Sequence, residues 1–167
     1  LAVKIDGATK EEYVWGFRVG FITYAAKNEA ILHALEEKTR GIIRATISSG
    51  PHPSQTFVLK ALQSPEFEQQ KQQKFDIMKG RAVKTKEVLD SGKYDNAWDY
   101  YPFNSGYFMC LKLKNVTADA LRPVALEKYG VGAIALGETD LRVAFSCIEE
   151  EGIEELFDLL YAAVKDV

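Results

Sequence analysis

Apolar residues recur with helical spacing in the first half of the chain and in shorter, strand-like runs in the second. Val14 to Ala25 is rich in aromatic and β-branched residues and predicts a strand. Asn28 is placed to cap a helix to about Thr46, with Ile31, Leu35, Ile42 and Ile43 on its inner face. The run SSGPHP from Ser48 to Pro53 breaks it, and Ser54 caps a short helix through Leu62. Pro65 opens a long helix to about Leu89, whose polar stretch EFEQQKQQK leaves only the narrow stripe Phe67, Phe75, Met78 and Ala82 to bury. Gly92 to Asn96 is a turn. Beyond it, Trp98 to Tyr101 and Tyr107 to Leu113 read as strands around a turn at Asn104 to Gly106. Ala118 to Tyr129 reads as a helix ended by Gly130. Two further strands, Val131 to Leu136 and Leu141 to Cys147, flank Gly137 to Asp140. Glu149, Glu150 and Glu151 start a last helix with the apolar face Ile153, Leu156, Leu160, Ala163 and Val164. This order predicts an α+β fold, an antiparallel or mixed sheet packed on helices.

Composition sets bounds on that picture. The chain has 167 residues, 47% of them hydrophobic, enough for one compact domain, or one domain plus appendages, with a real core. A net charge of −3 argues against a dedicated nucleic-acid binder. No apolar run is long enough to span a membrane. Cys110 and Cys147 read as two buried free thiols of a cytoplasmic protein, and no leader pattern opens the chain. No spacing of metal ligands stands out, and no internal repeat is visible.

Chemistry concentrates in three places. The segment ATKEEYVWGFRVG, from Ala8 to Gly20, sets Lys10 ahead of a strand carrying Gly16, Arg18 and Gly20. Two glycines in a strand suggest that something approaches the backbone closely. Lys10 and Arg18 either converge on one anionic group, or are a surface lysine and an arginine satisfied by a carboxylate. Arg142, in LRVAFS, is the second place: a carboxylate reader or half of a buried ion pair. Arg44, followed by Ser48 before the Gly50-Pro51 break, is the third and the weakest.

Taken in order, these residues resemble a known family. Lys10, Gly16, Arg18 and Gly20 match the K-x5-G-x-R-x-G signature of the class I/II aminotransferases, fold-type-I pyridoxal-phosphate enzymes related to aspartate aminotransferase. Arg44 to Ser48 before a Gly-Pro turn, Gly106-Tyr107-Phe108, Tyr129-Gly130-Val131 and Arg142 to Ser146 resemble later landmarks of the same family. Two positions depart from it. Gly7 stands where the family usually has a serine, and Ser49-Gly50-Pro51 replaces the usual Asn-Pro-Pro turn.

The resemblance implies pyridoxal 5'-phosphate held covalently by Lys10, which then serves as general acid and base. It implies that Arg18 and Thr9 contact the cofactor phosphate. Arg142 then binds the substrate α-carboxylate, and Arg44 reaches the neighbouring subunit's site. Amino-acid and 2-oxo-acid substrates and a homodimeric parent follow on the same basis. Residues 1–50 would end the large cofactor-binding domain, and residues 51–167 would form the small C-terminal domain. The aspartate that holds the cofactor ring nitrogen would lie upstream of Lys10, and the chain begins at Leu1. The expectation is therefore a C-terminal fragment, inactive alone and prone to self-association through Leu1 to Val3, Trp15 and Phe17. Two alternatives are an anion-binding or regulatory domain without covalent chemistry and a lyase on the same fold.

Overall fold

The computed structural model describes residues 1–104 and 106–167, and separates into two units, Leu1–Lys74 and Phe75–Val167. In the first unit, strand β1 (Ala2–Gly7) runs into a single helical turn α1 (Ala8–Glu11), then a 3-10 turn at Trp15–Phe17 and strand β2 (Gly20–Ala25). The two strands pair antiparallel from Ala2 opposite Ala25 to Gly7 opposite Gly20. The expected strand from Val14 therefore starts only at Gly20. Its first part is turned instead: Phe17 N–H donates to Val14 O at 3.0 Å, and Arg18 takes a left-handed φ of 53°. Gly20 is fixed by the register, because a Cβ there would lie 3.2 Å from Asp6 O.

Helix α2 (Glu29–Thr46) begins where the sequence predicts, with Asn28 Oδ1 accepting from Ala30 N–H at 2.9 Å. Its apolar stripe forms but is not covered. No residue of α2 is buried, and Ile42 is 64% exposed. Helix α3 (His52–Leu62) starts two residues before the expected Ser54. Pro53 lies in its first turn, where the missing N–H has no intrahelical partner to lose. The buried residues of this unit are few: Ala8, Val19 and Val58 cluster, with Val14 packed on them.

Helix α4 (Phe67–Asp90) passes from the first unit into the second. Its buried face keeps part of the expected stripe: Phe67 is half-buried, and Met78 and Ala82 are partly buried against the core. Phe75 is 50% exposed, whereas Thr85, Val88 and Leu89 are buried. In the second unit follow β3 (Trp98–Tyr100), β4 (Met109–Leu113), α5 (Ala118–Tyr129), β5 (Ile134–Ala135), β6 (Asp140–Val143) and α6 (Ile153–Lys165). The four strands form one antiparallel sheet in the order β3-β4-β6-β5. Strands β4 and β6 alternate: Met109, Leu111, Leu113, Leu141 and Val143 face the core, and Cys110, Lys112, Asp140 and Arg142 face away. The core closes against Leu121 of α5 and Ile153, Phe157 and Leu160 of α6.

Helix α5 spans its predicted residues, capped by Thr117 Oγ1 and stopped by Gly130 at φ +69°. The strands are shorter than expected. β4 starts at Met109, β5 keeps two residues, and β6 ends at Val143 before a 3-10 turn at Phe145–Cys147. Glu150–Gly152 form a further 3-10 turn, so α6 begins at Ile153. Ser105, in the expected turn at Asn104 to Gly106, lies outside the described residues. The thiols are free, but not both buried as expected: Cys110 is half-buried and Cys147 is exposed at the 3-10 turn. The expected α+β class with a small antiparallel sheet is the one observed. Among the described residues no helix is long and apolar enough to cross a membrane, and no cluster of His, Cys, Asp and Glu is placed to hold a metal.

Candidate functional site

Three of the predicted residues lie at the closed end of the β1–β2 hairpin. Thr9 and Lys10 follow β1 directly in α1, and Arg18 stands two residues before β2. Ala8 N–H donates to Val19 O at 3.1 Å, and both residues are buried, so the two arms are joined at their base. Above this bond Thr9 is half-buried, and Lys10 and Arg18 are exposed. Arg18 does not lie in a strand, as the sequence suggested, but in the left-handed residue that leads into β2. Its Nη1 reaches only Trp15 O, at 3.4 Å, and among the described residues no carboxylate pairs with it. Glu12, two residues beyond Lys10, is engaged by Lys71 Nζ at 3.2 Å. Gly16 lies in the 3-10 turn, not in a strand, and a Cβ there would meet nothing within 4 Å. Gly7 caps α1 without any side-chain hydrogen bond, and a side chain there also has room.

Arg142 occupies the second unit, on β6 between β4 and β5. Its cross-strand neighbours are Cys110 and Ile134, neither of them acidic. The guanidinium carbon lies 4.6 Å from the centre of the Phe108 ring. The buried ion pair that would have explained this arginine structurally is absent among the described residues. Burial pushes the Cys110 thiol up from its ordinary range, Asp140 pushes it further, and Arg142 pulls the other way. Tyr101 donates its hydroxyl to Asp140 at 3.1 Å, and that bond raises the phenol above its ordinary value. Arg44 lies in the last turn of α2, where Nη1 donates to Ser48 Oγ beside the left-handed Ser48.

Phe108, Tyr101 and Asp140 were not legible as site residues in the sequence. Tyr101 and Asp140 are 39 positions apart, and only the strand order brings them together. Chemically, the hairpin end presents a primary amine, a hydroxyl and a guanidinium. That donor set suits a phosphorylated carbonyl compound, with the arginine on the phosphate and the amine on the carbonyl. Arg142, by its lack of an acid and its aromatic support, suits a carboxylate.

Comparison with known proteins bears on both groups. The family model described as "Aminotransferase class I and II" matches residues 7–160. No curated protein sequence matches the chain. Among solved structures, an aminotransferase from Mycobacterium tuberculosis superposes with a TM-score of 0.73 at 17% identity, over 99% of this chain and 42% of that one. The alpha-aminoadipate aminotransferase of Thermus thermophilus, complexed with N-(5'-phosphopyridoxyl)-L-leucine, gives 0.69 at 24% identity over 90% of this chain and 39% of that one. The aromatic aminotransferase of Pyrococcus horikoshii gives 0.73 at 13% identity, over 98% and 43%. The chain thus spans about two fifths of the length of these structures. The family model covers most of the chain, and the chain belongs to the class I and II aminotransferases.

Proposed function

We propose that this chain carries the cofactor lysine and the substrate-carboxylate arginine of a pyridoxal-phosphate-dependent aminotransferase, which moves an amino group between an amino acid and a 2-oxo acid. The observation that carries the reading is the hairpin end, where one strand pairing places Lys10 and Arg18, the latter with no carboxylate partner among the described residues. Pyridoxal phosphate, when bound, supplies an aldehyde for the amine and a ring that withdraws electrons from the substrate α-carbon. Lys10 Nζ holds the cofactor and carries a proton to and from that carbon. Arg18 neutralises the phosphate, with Thr9 Oγ1 as a further donor. Arg142 binds the α-carboxylate and so fixes which bond at the α-carbon reacts. Arg44 reads a distal acidic group in the neighbouring subunit's site of a homodimer. Residues 1–50 serve as the end of a cofactor-binding domain and residues 51–167 as a small domain, in a cytoplasmic enzyme. Assayed by themselves, the 167 residues, about two fifths of the length of the matched structures, are expected to show no appreciable transaminase activity.

The test is to incubate the chain with pyridoxal 5'-phosphate, reduce with borohydride and map the pyridoxyl group. It is expected on Lys10 above all other lysines, and lost in Lys10→Ala. A label spread evenly over surface lysines sinks the assignment. Gly7, which caps α1 without a hydroxyl, favours a second reading as an anion-binding domain without covalent chemistry. That reading expects phosphate binding at Arg18 with no label on Lys10. A lyase on the same fold is told apart by the products of the intact enzyme.

A further inference from the structure

Arg142 has an acid within reach that it does not use. On a strand, residues two apart share a face at about 7 Å, a gap that an arginine side chain closes easily. Asp140 is that neighbour on β6, on the same outward face as Arg142. Paired with it, Arg142 would have its charge spent inside the protein. Instead Asp140 accepts the Tyr101 hydroxyl at 3.1 Å. Tyr101 is itself held in place, its N–H donating to Cys110 O at 3.0 Å, so the phenol reaches from the end of β3 across β4 to β6. On the other side, the Phe108 ring lies 4.6 Å from the guanidinium carbon and holds it by its flat face. The remaining charges on this face are Lys112, opposite Asp140 in the register, and Asp99, which pairs with Lys114 at 2.7 Å.

We infer that Tyr101 is a positioning residue: its hydroxyl keeps Asp140 off Arg142, so that the guanidinium stays open to an incoming carboxylate. The inference rests on the reading of Arg142 as the carboxylate site. It gives Tyr101 and Asp140 a joint task, a built-in competitor and the group that restrains it.

The experiment uses the 167-residue chain with isotopically labelled arginine and follows the Arg142 Nε–Hε signal by NMR. Without ligand, Tyr101→Phe is expected to shift that signal and slow its exchange with water, as Asp140 turns to the guanidinium. The double variant Tyr101→Phe/Asp140→Asn is expected to return it to the wild-type position. Titrated with N-acetylglycine as a plain carboxylate probe, Tyr101→Phe should bind roughly three- to five-fold more weakly, in line with competition by one partly exposed ion pair. The double variant should recover the loss, which a merely structural defect would not allow. An Arg142 signal unmoved by Tyr101→Phe, or a change that persists in the double variant, overturns the inference. A wild-type chain whose Arg142 ignores the probe overturns the carboxylate reading, while the ligand-free comparison still decides whether Tyr101 restrains Asp140.

Discussion

Single residues of the second unit already carry a measurable pH response. Asp158 accepts from the Tyr94 hydroxyl at 2.8 Å and lies 2.6 Å from Lys93 Nζ. The Lys93 bond chiefly, and the Tyr94 bond after it, hold the carboxyl below its ordinary 3.8, although burial works in the opposite sense. Burial, with the Asp158 bond, pushes the Tyr94 phenol up to about 12, so it stays a donor at any pH of interest. The sign follows from which state binds the proton. Below about 3.8 the unfolded chain takes up a proton at this position before the folded chain does. Stability from Asp158 is therefore full above that value and lost as the pH falls through the lowered folded value. Lys93 and Asp158 are 45% and 44% exposed, so the effect is modest and screened by salt. Asp158→Asn should flatten the fall in melting temperature between pH 5 and pH 3, relative to the wild-type chain. An unchanged slope would show that the carboxylate contributes nothing to the acid limb.

Elements were legible where one residue decides a boundary and illegible where a partner strand decides it. Asn28 and Gly130 set helix ends by a local hydrogen bond or a left-handed φ, and each acts where the sequence predicts, while Thr117 caps α5 without having been singled out. Strand lengths were overread because pairing, not composition, ends a strand. Val14 to Val19 has strand-forming residues, but β1 offers a register only as far as Gly7. The same limit applies to the site. Lys10 and Arg18 were found by spacing along one hairpin, whereas the Phe108 and Tyr101 contacts depend on strand order. Helix α6 shows it for packing. Its face was read as Ile153, Leu156, Leu160, Ala163 and Val164, yet Phe157 is fully buried and joins the ring cluster with Tyr94. Leu156 is only partly buried. Phe157→Ala is expected to cost about 3–5 kcal/mol in urea unfolding, and Leu156→Ala clearly less. Equal losses would mean that α6 is rotated from the orientation described.

At the scale of the whole molecule, the two units differ in how well they hide their apolar residues. The second keeps a continuous core from Val88 to Ala163, whereas the first has three buried side chains and a long series left in water. Leu1, Val3, Ile5, Trp15, Ile42 and Phe57 all have more than half their surface exposed. A hairpin of two strands with free outer edges adds unpaired backbone groups to that surface. Exposed apolar side chains of this size favour association where they adjoin. The chain is therefore expected to self-associate through its first unit. Sedimentation velocity across a hundredfold range of concentration should show mass rising with concentration. Ile5→Lys together with Ile42→Lys should shift it toward the monomer. Because both positions are exposed and outside the buried set, the substitutions should leave the melting of the second unit's core unchanged. A wild-type chain that sediments as a monomer at every concentration would show that the exposed stripe of α2 and the faces of the hairpin are tolerated by water.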